Sequence, residues 1–196
     1  MPLRNTADRY GAVAKTLHWL IALGLIGMMG FGFYLDQVGE DLPILERYQL
    51  TQLHKSVGMV LIVLIALRFL WRALNRPPAI PNTLKAYERA LAHATHVALY
   101  AALIVFPLSG WVMASASALP IGDVFGVVPI PDLMDTNEAV EGIAHAVHAW
   151  MLYILGGLLA LHIAGALKHH FVLKDDVLRR MLPGAKPRGG WSTPGR

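Results

Sequence analysis

Four apolar runs, each near the length that crosses a bilayer, constrain this chain more than any other feature. They lie at about residues 14–35, 52–74, 87–114 and 143–167, and a hydrocarbon core about 30 Å thick takes roughly 20 apolar residues in helical form. A soluble domain can bury one such run as a core helix. Four of them in 196 residues, with 55% hydrophobic and only 15% charged side chains, leave too little polar chain to cover them. Only helices or closed barrels satisfy their backbone in lipid, and runs this long predict an all-α integral membrane four-helix bundle. Residues 1–184 form that bundle as one domain, and the basic, Pro/Gly-rich tail 185–196 predicts disorder.

Charge then orders the segments. The chain carries 17 Lys and Arg against 13 Asp and Glu, and its pI of about 9.5 invites a nucleic-acid reading. The cations sort by loop, however, and form no basic patch or helix. Arg4 and Arg9 precede the first run and Lys15 stands at its start, Arg68 and Arg72 close the second, and Lys168, Lys174, Arg179, Arg180, Lys186 and Arg188 follow the fourth. Residues 36–52 and 115–142 are acidic, and the second of these loops has no Lys or Arg. By the positive-inside rule both termini are expected to be cytoplasmic. Arg4, Arg9 and Lys15 ahead of an apolar run imitate a signal peptide, but His18-Trp19 inside the run and the lack of a small-residue cleavage site predict a retained first span.

Proline and glycine punctuate the rest. Pro43 makes residues 36–52 a loop or short surface helix, Pro77, Pro78 and Pro81 make 75–82 a short rigid connector, and Pro107 predicts a kink in the third span. Pro120, Pro129 and Pro131 predict an irregular loop at the membrane surface. Gly24, Gly27, Gly30 and Gly32 offer either close helix contact or room for a flat group, and Gly58 stands one turn after His54.

With no cysteine, disulfides, iron–sulfur clusters and thiolate ligation are excluded. Histidine is the ligand left in quantity. In the fourth run His148 and His162 lie fourteen residues apart with no charge between them. That spacing is roughly 21 Å along a helix and a return to nearly the same face, so two imidazoles sit at two membrane depths. Buried polar groups in hydrocarbon need a partner or a purpose. Counting from the span ends, His54 shares the outer level with His148, and His18 shares the inner level with His162. Neutral imidazoles opposed at one level are what a six-coordinate b-type haem takes, so two haems are expected, on His54 with His148 and His18 with His162. His96 enters the third span to a depth like that of His18, and depth alone leaves it open as the inner ligand; His93 is a weaker rival. His145 reads as a polar rim residue. His169 and His170, at the inner interface, read as solvated charge or as donors to a quinone or a haem propionate. Arg68, Arg72 or Lys15 could neutralise inner propionates, and Lys55 outer ones. No Asp or Glu interrupts the interior of a run, so redox chemistry fits better than a carboxylate proton relay or cation transport.

Several pieces resemble a known family: Arg9-Tyr10 with Leu17-His18-Trp19, His54-Lys55-Ser56-Val57-Gly58 closing on Arg68-Phe69-Leu70-Trp71-Arg72, Pro107-Leu108-Ser109-Gly110-Trp111, Leu161-His162, and His169-His170-Phe171 through Arg180-Met181-Leu182-Pro183. Together they are similar to the bacterial cytochrome b561 family, which shares its haem core with the cytochrome b subunits of nickel–iron hydrogenases and formate dehydrogenases. The resemblance implies a multi-pass protein of the bacterial inner membrane with two b haems held by His18, His54, His148 and His162, which argues against His96. It also implies a quinone on the electron path. Two activities follow from it: oxidation of superoxide at the outer face with electrons passed to quinone, for which Lys55 is the candidate anion-steering cation, or an electron-carrying membrane anchor for a separate redox partner protein.

Overall fold

The computed structural model describes residues 2–78 and 85–185. Four long helices dominate it: α1 (Ala12–Val38), α2 (Ile44–Leu74), α3 (Ala86–Ala116) and α4 (Glu138–Leu167). All four are long and apolar enough to cross a membrane. A single π-type turn, Lys168–Val172, prolongs α4, and a short α5 (Val177–Met181) follows. The expected disorder of the tail and the Pro81-Asn82 end of the connector fall at 186–196 and 79–84, outside the described residues.

Each predicted run lies inside one helix, and the helices overrun the runs. At about 1.5 Å per residue, the 31 residues of α2 exceed a hydrocarbon core of about 30 Å, so helix ends project past it into polar surroundings. Two loops are therefore shorter than the sequence suggests. Residues 44–51, expected in a loop or short surface helix, are the first turns of α2, which begins directly after Pro43. Residues 138–142 belong to α4, whose cap is Asn137: its side-chain oxygen accepts from Val140 N at 3.1 Å, with Glu138 and Glu141 in the first turn where the helix dipole favours acids. Helix α3 runs on past Pro107 to Ala116.

The helices pack as α1 on α2 and α3 on α4, with α2 also touching α3. Gly24 makes the first contact close, since a Cβ there would stand 2.8 Å from Leu61 Cδ2. Ile21, Leu25, Leu61, Ile65, Ala102 and Leu155 form the central core. Leu155 alone among them has no exposed surface, and it stands midway between His148 and His162 in sequence. Outward, Leu23, Val63, Ile104 and Trp150 leave large apolar surfaces uncovered. In water such a belt would drive aggregation, whereas lipid solvates it.

The two ends of the bundle differ. At one end, residues 117–137 fold back over α2 and include a two-stranded hairpin, β1 (Asp123–Val124) with β2 (Val128–Pro129), turning through Phe125 and Gly126 at positive φ. Ser56 pins this loop by accepting from Phe125 N at 2.9 Å, and Trp111 Nε1 donates to Pro131 O at 2.9 Å. At the other end the N-terminal segment, the close of α2 and the C-terminal segment meet. Asn5 donates to the Asn75 and Arg76 carbonyls at 3.2 Å each, Lys15 Nζ to Leu182 O at 3.1 Å, and Trp19 Nε1 to Met181 O at 2.9 Å. The first is the acidic end of the bundle, closed by residues 117–137 as a capping loop, and the second is its basic end.

Candidate functional site

Histidines from three helices converge in the interior at two levels. Toward the acidic end, His54 of α2 and His148 of α4 face each other with ring centroids 6.4 Å apart and planes at 81°. Toward the basic end, His18 of α1 and His162 of α4 stand 6.3 Å apart at 72°. All four are half-buried. The fourteen-residue repeat on α4 brings His148 and His162 to the same face, and α2 and α1 supply the imidazoles that face them.

The acidic-end pair is tightly bedded. His54 lies 5.7 Å from the Phe31 ring, and a Cβ on Gly32 would stand 3.2 Å from its Cε1. His148 lies 4.5 Å from the Phe106 ring, and a Cβ on Gly110 would stand 2.9 Å from its Cε1. Only glycine lets α1 and α3 approach the imidazoles this closely. His148 Nδ1 is 3.0 Å from Phe106 O and 3.1 Å from Ser109 Oγ. His54 Nδ1 is buried and has no partner among the described residues. Gly58, by contrast, has only Met28 Cε near it, at 4.0 Å.

Three imidazoles gather at the basic-end level. His96 of α3 lies 5.4 Å from His162, nearer than His18 does, but it is exposed where His18 and His162 are half-buried. The charge of Arg68 reaches all three. Arg72 lies 4.9 Å over the Tyr100 ring. Beyond them, burial pushes the Tyr10 phenol above its usual range, against the cations Arg72, Arg68 and Arg180 nearby. Lys15, buried, is committed to the Leu182 carbonyl.

The remaining candidates fall at the ends. His93 and His145 are exposed. Lys55 is half-buried, and its Nζ donates to Ile121 O at 3.3 Å, holding the capping loop. His169, in the π-type turn, is half-buried and its Nδ1 meets Asp175 Oδ2 at 2.6 Å. His170 packs on Phe171 at 4.8 Å, with its Nδ1 buried and unpartnered among the described residues. Sequence reasoning missed Ser109 and the Phe106 carbonyl as partners of His148, and Asp175 as the partner of His169. A hydroxyl and a glycine side by side after Pro107, in an apolar run, were the available signal for the first.

The chain matches the family model described as prokaryotic cytochrome b561 over residues 9–184. It is 34% identical to cytochrome b561 homolog 2 of Escherichia coli (strain K12), covering 93% of this chain and 95% of that protein. It is 27% identical to the probable superoxide oxidase CybB of Yersinia pestis, covering 92% and 98%. With cytochrome b561 homolog 1 of Escherichia coli (strain K12) the identity is 25% over 91% and 99%.

Proposed function

We propose that this chain, which belongs to the prokaryotic cytochrome b561 family and is therefore a haem b-binding electron-transfer protein of a bacterial membrane, holds two haems. His54 with His148 would hold the outer one, and His18 with His162 the inner one. Both termini lie in the cytoplasm, so the acidic end faces outward across the inner membrane. The observation that carries this reading is the near-identical spacing of the two pairs, 6.4 and 6.3 Å between centroids. Imidazole nitrogen meets a metal at about 2.0–2.1 Å, so rings at this separation would leave room for a metal between them, whereas rings in direct contact would not. His96, at 5.4 Å from His162, stands at ring-contact distance and flanks the site. The glycines pressed on the outer pair further support this reading, since they bed both rings from outside and hold them facing one another.

Bound haem supplies a one-electron couple at each level. The protein's share is to hold neutral imidazoles, exclude water with the Leu155 layer, and place Arg68 where its charge favours the reduced state of the inner site. Arg68 and Arg72 also suit inner propionates, whereas Lys15 is committed to a carbonyl. Quinone takes up the electrons at the inner side, where His169, held by Asp175, presents a donor. With superoxide as outer substrate, two anions each lose one electron to give dioxygen, and quinone gains both electrons with two protons. The similarity to the probable superoxide oxidase of Yersinia pestis supports that donor. The second reading, a carrier that serves a separate redox protein, is favoured by the tie of Lys55 to Ile121 O and by the acidic outer loops, which do not gather an anion.

Pyridine haemochrome quantitation and reduced-minus-oxidised spectra on the purified protein test the reading. Two haems per chain are expected; His54→Ala and His148→Ala should remove the same centre, and His18→Ala and His162→Ala the other. One haem in the unaltered protein, or crossed pairings, overturns it. Haem reduction by superoxide in the purified protein with turnover of quinone selects the oxidase; its absence selects the carrier.

A further inference from the structure

We propose that residues 106–110 of α3 form a positioning cradle for His148, in which Ser109 strengthens the imidazole as a donor and so lowers the reduction potential of the outer centre. The inference rests on the reading of His148 as an axial ligand. Phe106 O, 3.0 Å from His148 Nδ1, can only accept, so the ring proton sits on Nδ1 and the lone pair is on Nε2. Ser109 Oγ is 2.7 Å from the same carbonyl and donates to it. Its single proton is thereby used, and toward Nδ1 at 3.1 Å the oxygen acts as an acceptor. The Nδ1–H thus has two acceptors at a site where Ser109 is 8% exposed, so water competes little for them. Gly110 leaves room for the ring, and the Phe106 ring at 4.5 Å fixes its tilt. His54 has no such anchor at Nδ1 among the described residues.

A hydrogen bond accepted from the far nitrogen of a ligating imidazole fixes its tautomer and raises its basicity. A more basic ligand favours the ferric state, so the cradle holds the outer potential down. Potentiometric titration and low-temperature electron paramagnetic resonance on the holoprotein test this, with the outer centre identified as the one lost in His54→Ala. Ser109→Ala and Ser109→Val should keep two haems while the outer centre shifts to higher potential and the inner does not move; Ser109→Thr should restore the original value. Selective loss of the outer centre, restored by Ser109→Thr, supports the cradle equally. Unshifted centres in both Ser109→Ala and Ser109→Val, or loss of both centres in all three variants, overturn it. Retention of both centres in His148→Ala overturns the ligand reading itself, a result distinct from either.

Discussion

Three imidazoles at the basic-end level pose a choice that distance alone decides badly. His96 is the nearer neighbour of His162, at 5.4 Å against 6.3 Å for His18, yet two imidazoles that share a metal would have to leave room for it, and His18 has the separation of the other pair. His96→Ala should therefore keep two haems per chain with unchanged low-spin resonances, while His18→Ala should fall to one. Two haems in His18→Ala and one in His96→Ala would make His96 the ligand. The four proposed ligands, and His96 with them, stand out in the sequence because an imidazole inside an apolar run must be accounted for. Their supports do not. Ser109 meets His148 across 39 positions, and neither periodicity nor composition says which hydroxyl on one helix meets which ring on another. His169 illustrates the same limit within six residues: the sequence offers a solvated charge or a donor to a quinone or haem propionate, and gives no sign of the Asp175 contact that the chain makes after the π-type turn.

At the scale of elements, hydropathy found the helices and misjudged their ends, because it measures solvent preference and the helix does not stop where lipid does. Pro43 and Asn137 start α2 and α4 well outside the apolar runs, and polar turns there cost nothing once they stand in headgroups or water. The prolines of the capping loop discourage regular structure, so the sequence predicts an irregular loop there. Its order comes from α2: Ser56, 1% exposed, accepts from Phe125 N and donates to Gln52 O at 2.8 Å. Ser56→Ala strands a shielded backbone N–H, a loss of about 1–3 kcal/mol. The expected result is faster proteolysis within residues 117–137 and a lower thermal midpoint for the purified protein, with haem content unchanged. A midpoint equal to that of the unaltered protein would show that the hairpin holds itself.

For the whole molecule, the separation of charge and the separation of contacts coincide. Asn5, Lys15 and Trp19 tie the basic N-terminal segment to the carbonyls that end α2 and to those of the C-terminal segment, so three cation-bearing stretches are held on one side of the belt. The acidic capping loop is held on the other. Translocating the basic end would carry all three stretches across together, which the positive-inside rule opposes, and this makes the orientation a property of the assembled bundle. A chain without cysteine allows a clean test. Val127, 79% exposed on the capping loop, and Leu3, 68% exposed beside the basic end, can each be replaced singly by Cys. In spheroplasts a membrane-impermeant maleimide should label Val127→Cys at once and Leu3→Cys only after lysis. The reverse pattern would put the His18 and His162 level outside, and an outer donor would then meet Arg68 rather than the acidic loop.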